Sequence, residues 1–263
     1  MKNPPIAKKI PHSFELHGTK INDEYNWLRG KKWPEKIKEK DILNHLEDEN
    51  SYFNYFMDSL SKEKEMIFEE LKGRVELVDQ SSFVQKDDYY YYSRTEEKKE
   101  YKIYCRKYRS TQSQEEIILD VNKLAEGKNF ISIASIAISP SHDLIAYSSD
   151  FTGSEKYFIT ILDIKNQNIL RDQIDNTSGS IVWDKNEKGF FYILANKNWR
   201  HDKVMFHELG TQSTHDKLIY HERNPLYSVS VNKSSSKKFI FINIHGHDSS
   251  EIYYFPINDK SFT

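Results

Sequence analysis

Cysteine is almost absent from this chain of 263 residues: Cys105 stands alone. One thiol excludes any intramolecular disulfide and fits a reducing compartment, so a cytoplasmic setting is expected. Long apolar runs are missing too. No window approaches the ~18 consecutive apolar residues of a membrane-spanning helix. Met1 to His17 carries lysines and prolines but no apolar core of a secretory signal. Neither sign of charge prevails. The 38 Lys and Arg against 40 Asp and Glu leave −2 with histidines neutral, with both signs interspersed, so neither nucleic acid nor a membrane is expected as a partner. The familiar catalytic signatures are lacking as well. There is no G-x-S-x-G elbow, no phosphate loop and no G-x-G-x-x-G, no H-E-x-x-H and no paired-cysteine zinc spacing. No catalytic, cofactor-binding or metal-binding residue is assigned, no cofactor is expected, and the substrate-binding residues stay unknown.

Aromatic residues are abundant at 14% of the chain, which suits β-structure. The stretch from Ile136 to Leu170 is built of short apolar and β-branched runs, Ile136–Pro140, Leu144–Ser148, Lys156–Ile164 and Ile169–Leu170, with polar turns between them. That is an antiparallel strand meander. It recurs from Ile181 through Leu194 and from Tyr227 through Asn243, and a looser copy covers Phe83 to Ser93. A period of roughly 45 to 50 residues opening on strand, turn, strand belongs to propeller blades rather than helical solenoids. The expected fold is mainly β: a partial β-propeller of about four blades, the last incomplete at Thr263. A non-repeating β-sandwich is the alternative.

The N-terminal part differs. Pro4, Pro5 and Pro11 keep Met1 to Arg29 extended and loop-like. Pro34 marks a possible helix start. Ile42, Leu46, Phe53, Phe56 and Leu60 follow helical spacing and predict a helix over Asp41–Leu60. Ser61 is read as the N-cap of a second helix carrying Ile67, Phe68 and Leu71 and stopping at Gly73. Residues 1–75 thus form a helical extension and 76–263 the partial propeller. Within the latter, Asp120 to Gly127 reads as a single capped helical turn.

Few residues invite a chemical role. His245-Gly246-His247-Asp248 would place two imidazoles on one side of a strand, but no further ligand accompanies them, so no metal site is expected. His201, His207, His215 and His221 have no metal-like spacing and are read as surface or strand-edge residues. Tyr89-Tyr90-Tyr91-Tyr92 is read as strand core rather than a stacking platform. Cys105 has no base partner and is read as an inert strand cysteine. Asn198-Trp199-Arg200-His201-Asp202 is either a binding loop or a loop packed by Trp199, and the packed loop is expected.

Several segments resemble the prolyl oligopeptidase family, and most of all its oligopeptidase B branch. Asp23-Glu24-Tyr25-Asn26-Trp27-Leu28-Arg29 resembles the family's D-x-Y-x-W-L, and Leu46-Glu47-Asp48-Glu49-Asn50-Ser51-Tyr52 its L-x-x-E-N-x-Y helix. Tyr90 to Thr95, Tyr104-Cys105-Arg106, Asp150-Phe151-Thr152-Gly153 and His207-Glu208-Leu209-Gly210-Thr211 follow in the family's order. In the last segment His207 and Glu208 stand where the family has Arg and His. The resemblance implies an N-terminal extension, a seven-bladed propeller and a C-terminal α/β-hydrolase domain that holds the Ser-Asp-His triad. It implies a serine-type endopeptidase that cleaves short peptides after basic residues, its propeller gating access. This chain would be the non-catalytic gating part, truncated mid-propeller, partnered by a downstream chain that supplies the remaining blades and the hydrolase domain. A stand-alone interaction module or one half of a split peptidase are the alternatives.

Overall fold

A computed structural model describes residues 3–32 and 36–257. The chain divides into two units, Met1–Glu76 and Leu77–Thr263.

In the first unit, residues expected to be loop-like form a hairpin of β1 (Ser13–Leu16) and β2 (Thr19–Asn22). Its two-residue turn, His17-Gly18, has φ of 52° and 74° at its two positions, the left-handed pair that matches strand twist. A 3-10 turn over Asn26–Leu28 follows, and the Trp27 indole N–H donates to the Lys8 carbonyl at 2.7 Å. Helix α1 spans Lys40–Asp58 and α2 spans Ser61–Gly73. The helix start read at Pro34 lies outside the described residues. Ser61 is the first residue of α2, not its cap: Leu60 holds that position with no side-chain cap bond. Ile42 is buried, whereas Phe53 and Phe56 of the same stripe are exposed.

The second unit is a run of antiparallel strands. A four-stranded sheet holds β3 (Val84–Lys86), β4 (Tyr89–Arg94), β5 (Ile103–Tyr108) and β6 (Glu115–Asp120) in sequence order. The helical turn α3 (Val121–Ala125) follows, and the Asp120 side chain accepts from the Asn122 amide at its start. A seven-stranded sheet then runs in order through β7 (Ser132–Ile138), β8 (Leu144–Asp150), β9 (Tyr157–Asp163), β10 (Ile169–Trp183), β11 (Gly189–Ala195), β12 (His201–Glu208) and β13 (Lys217–His221). The strands β14 (Ser228–Lys233), β15 (Phe239–His245) and β16 (Ser250–Pro256) form the third sheet. The sheets are open and none closes on itself. Among the described residues, no helix is long and apolar enough to cross a membrane.

The pattern predicted a strand ending near Leu170 and a new one at Ile181. The structure corrects this: β10 is continuous for 15 residues. Its first half pairs with β9, its second with β11, and Thr177 pairs with both Tyr157 and Leu194 where the register shifts. Gly179 sits in this irregularity at φ 93°, where a Cβ would lie 2.6 Å from that of Ala134. No side chain fits there. Polar Gln173 to Ser180 hid the strand, because every second residue is exposed over only part of it.

Three apolar clusters lie between successive strand groups. Tyr91, Ile118 and Leu119 meet Ile145, Tyr147 and Leu162. Ile159, Ile161 and Ile174 meet Trp183, Phe190 and Tyr192. Phe191, Val204 and Phe206 meet Val229, Ile240 and Ile242. Strands in the middle of the stack are therefore covered on both faces, and their sequences read as nearly unbroken apolar runs.

Candidate functional site

Each strand group opens with a hairpin whose turn holds one non-glycine residue in the left-handed region: Asp87, His142, Glu187 and Lys237, at φ between 53° and 68°. The tips converge. Lys237 Nζ donates to the Asp87 carboxylate at 2.8 and 3.0 Å. His142 Nε2 lies 3.2 Å from the same carboxylate and its Nδ1 2.7 Å from the Tyr91 hydroxyl. Glu187 accepts from the Ser141 amide, and Arg106 donates to the His142 carbonyl. The bond from Lys237, then that from His142, holds the Asp87 carboxyl below its ordinary range. Burial lowers the Lys233 ammonium, and its neighbours Lys237 and Lys86 lower it further. This end of the strands is a polar rosette assembled from all four repeats.

A second polar cluster is sealed inside. His207, read as a surface or strand-edge residue, is fully buried. Its Nδ1 lies 2.7 Å from Asp216 and its Nε2 3.1 Å from Asp172, while the Tyr192 hydroxyl donates to Asp216 at 2.7 Å and the Gly210 amide to Asp172. Both ring nitrogens face carboxylate oxygens, so each contact is closed by one hydrogen and neither nitrogen is left open. The ring has no free nitrogen to act as a base, and the cluster is a structural pin of β12. The sequence misplaced it because β12 lies between covered faces, where alternation no longer separates inside from outside.

At the opposite end of the strands, the β8–β9 and β11–β12 loops border a cleft of about 330 Å³ lined by Glu155, Lys156, Asn176, Lys197, Trp199 and His201. Asn196 builds the second loop. Its Oδ1 accepts from the amides of Asn198 and Arg200, its carbonyl accepts from the Trp199 amide at 2.9 Å, and its Nδ2 donates to Asp202 at 2.8 Å. Arg200 turns away and donates to the carbonyls of Asn224 and Tyr227. Trp199 is thereby held at φ 64° with half its surface exposed. A bulky residue there costs about 1–3 kcal/mol and persists only when its surroundings dictate it. The packed-loop expectation is therefore corrected: the loop is pinned by Asn196, and the indole faces the cleft beneath the Lys156 ammonium, 5.3 Å from its centroid.

The other singled-out residues scatter. His245 ends β15, but His247 belongs to the turn closed by the Gly246 amide on the Ser249 carbonyl, so the two imidazoles do not share a strand face. Among the described residues, no group of three or more His, Cys, Asp or Glu could hold a metal ion. His201 is held below the ordinary histidine range by burial and then by nearby His245. Cys105 is fully buried in β5 and burial pushes its thiol up to about 12. Tyr89 and Tyr91 face His142, while Tyr90 and Tyr92 face Phe83, as alternation requires.

Residues 4–263 match the family model of the prolyl oligopeptidase N-terminal β-propeller domain. The chain belongs to this family. It is 32% identical over 256 residues to Protease 2 of Moraxella lacunata, covering 95% of this chain and 36% of the relative. It is 28% identical over 270 residues to dipeptidyl aminopeptidase BI of Pseudoxanthomonas mexicana, covering 96% of this chain and 37% of that one. Among solved structures, oligopeptidase B of Leishmania major superposes with a TM-score of 0.85 at 28% identity, over 98% of this chain and 38% of that one. Oligopeptidase B of Trypanosoma brucei, with covalently bound antipain, superposes at 0.83 with 30% identity, over 97% and 38%. The chain thus spans little more than a third of the length of these family members.

Proposed function

We propose that this chain is the substrate-gating propeller portion of an oligopeptidase B-like serine-type endopeptidase, which in complete form cleaves short peptides after basic residues. Residues 1–75 are its extension, and residues 76–263 are about four blades of a seven-bladed ring. The chain is non-catalytic alone and works in the cytoplasm. The α/β-hydrolase domain, with its Ser-His-Asp machinery, comes from further polypeptide, whether joined to this one or separate. One observation carries the reading: the family match runs over residues 4–263 while the chain spans 36% of Protease 2. The strand groups stacked through three apolar clusters support it.

A fluorophosphonate probe and an Arg-containing peptide substrate test it. The purified chain takes up no stoichiometric label and cleaves nothing. Fused to, or mixed with, a polypeptide supplying the remaining blades and the hydrolase domain, it gives cleavage after Arg or Lys. One label per chain on the isolated protein, or a complemented enzyme indifferent to basic residues, contradicts the reading.

A further inference from the structure

We infer that the cleft between the β8–β9 and β11–β12 loops binds short peptides that carry a carboxylate beside an apolar side chain. Three features point to this chemistry. The first is Trp199, whose half-exposed indole is fixed in a left-handed backbone by the Asn196 bonds and offers a rigid apolar wall. An aromatic displayed at little entropic expense is a common peptide anchor. The second is charge. Lys156 and Lys197 line the cleft and neither forms an ion pair among the described residues. Lys156 rests over the indole, so its ammonium sits where apolar and charged parts of one ligand would meet. Glu155 is the opposing charge on the rim, its amide tied to Asp150 at 2.7 Å. The third is His201 at the cleft wall, whose imidazole offers a hydrogen-bonding group beside the indole. About 330 Å³ holds one or two residues of a peptide, not a folded partner.

The inference rests on the proposed peptidase reading only in that short peptides are the molecules this chain would meet. Direct binding to the chain needs no catalysis, so it can fail while the peptidase assay succeeds, and the reverse.

The test follows the Trp199 indole cross-peak of ¹⁵N-labelled chain, assigned through Trp199→Phe. The probes are N-acetyl-Leu-Glu, its uncharged counterpart N-acetyl-Leu-Gln-amide, and AMP. The charged dipeptide is expected to shift the peak saturably and the amide to leave it nearly unmoved. Lys156→Gln/Lys197→Gln is expected to weaken the charged dipeptide about tenfold, the factor that two exposed ion pairs of ordinary strength supply together. Both lysines are cleft residues outside the apolar clusters, and unchanged near-ultraviolet dichroism verifies the fold of the variant. A peak that does not move, equal shifts by the charged and uncharged dipeptides, undiminished binding in the lysine variant, or tighter binding of AMP each overturns the inference.

Discussion

Asp87 and Lys237 stand 150 residues apart in sequence, yet the Lys237 ammonium bonds both oxygens of the Asp87 carboxylate. The contact joins the first turn of the first strand group to the first turn of the last. Repeats without direct chain connection thus meet at one end of the strands, and His142 of the second repeat completes the junction.

Both partners are more than half exposed, so their coupling is small. A cycle of Asp87→Asn, Lys237→Gln and the double variant in urea unfolding is expected to give about 1 kcal/mol or less. The pH dependence has a definite sign. The Asp87 carboxyl is depressed when folded, first by Lys237 and then by His142. Its contribution is complete above about pH 4 and is lost as pH falls through the folded value. A coupling well above about 1 kcal/mol, or one of repulsive sign, contradicts this exposed pairing.

His207→Ala leaves Asp172 and Asp216 facing an empty site in the interior. Leaving buried polar groups without their partner costs about 1–3 kcal/mol for each group. The urea midpoint of this variant is therefore expected to fall far more than that of Asp87→Asn. A loss below about 1 kcal/mol contradicts the pinning role, since surface substitutions away from such features cost no more than that.

Glu115 accepts from Arg94 at 2.8 to 3.2 Å and also from the Tyr92 hydroxyl. The Arg94 guanidinium chiefly, with the Tyr92 hydroxyl, holds its carboxyl down to about 2 from 4.5. The stabilisation is present above about pH 4.5 and fades as pH falls toward about 2. Glu115→Gln is expected to lower stability at pH 7 and to flatten the acid limb of the stability curve across that window. Parallel curves for both proteins would show that another carboxylate dominates.

Cys105 is sealed in β5 with its thiol pushed up to about 12. Thiolate is the reactive form, so iodoacetamide at pH 8 is expected to leave the native chain unmodified and to label it fully in denaturant. Rapid native labelling at a rate typical of free cysteine would mean that the first sheet opens readily.

The strand groups were legible in the sequence because their turns are strong signals. Ser141-His142-Asp143 and Ser234 to Ser236 interrupt apolar runs unmistakably. Helix α1 was legible by its stripe, to within two residues at its C-terminal end. What the pattern could not supply was convergence. Asp87, His142 and Lys237 are ordinary turn residues, and only the stacking of sheets brings them together. His207 was misread for a related reason: alternation marks the inside of a half-covered sheet, and β12 is covered on both faces. Trp199 stands out in its polar loop, but its exposure depends on the Asn196 bonds, which sequence spacing does not reveal.

Thr177 belongs at once to the outer edge of one four-strand group and the inner edge of the next, because β10 runs unbroken through both. The two groups therefore share a wall. Detaching β10 from β9 strips one group of its last strand and pulls on the first strand of its neighbour. Local opening in this region has no cheap partial form. Amide protons on either side of Thr177 should thus exchange as one population, and the middle of the unit melts as a block while its flanking sheets remain free to breathe.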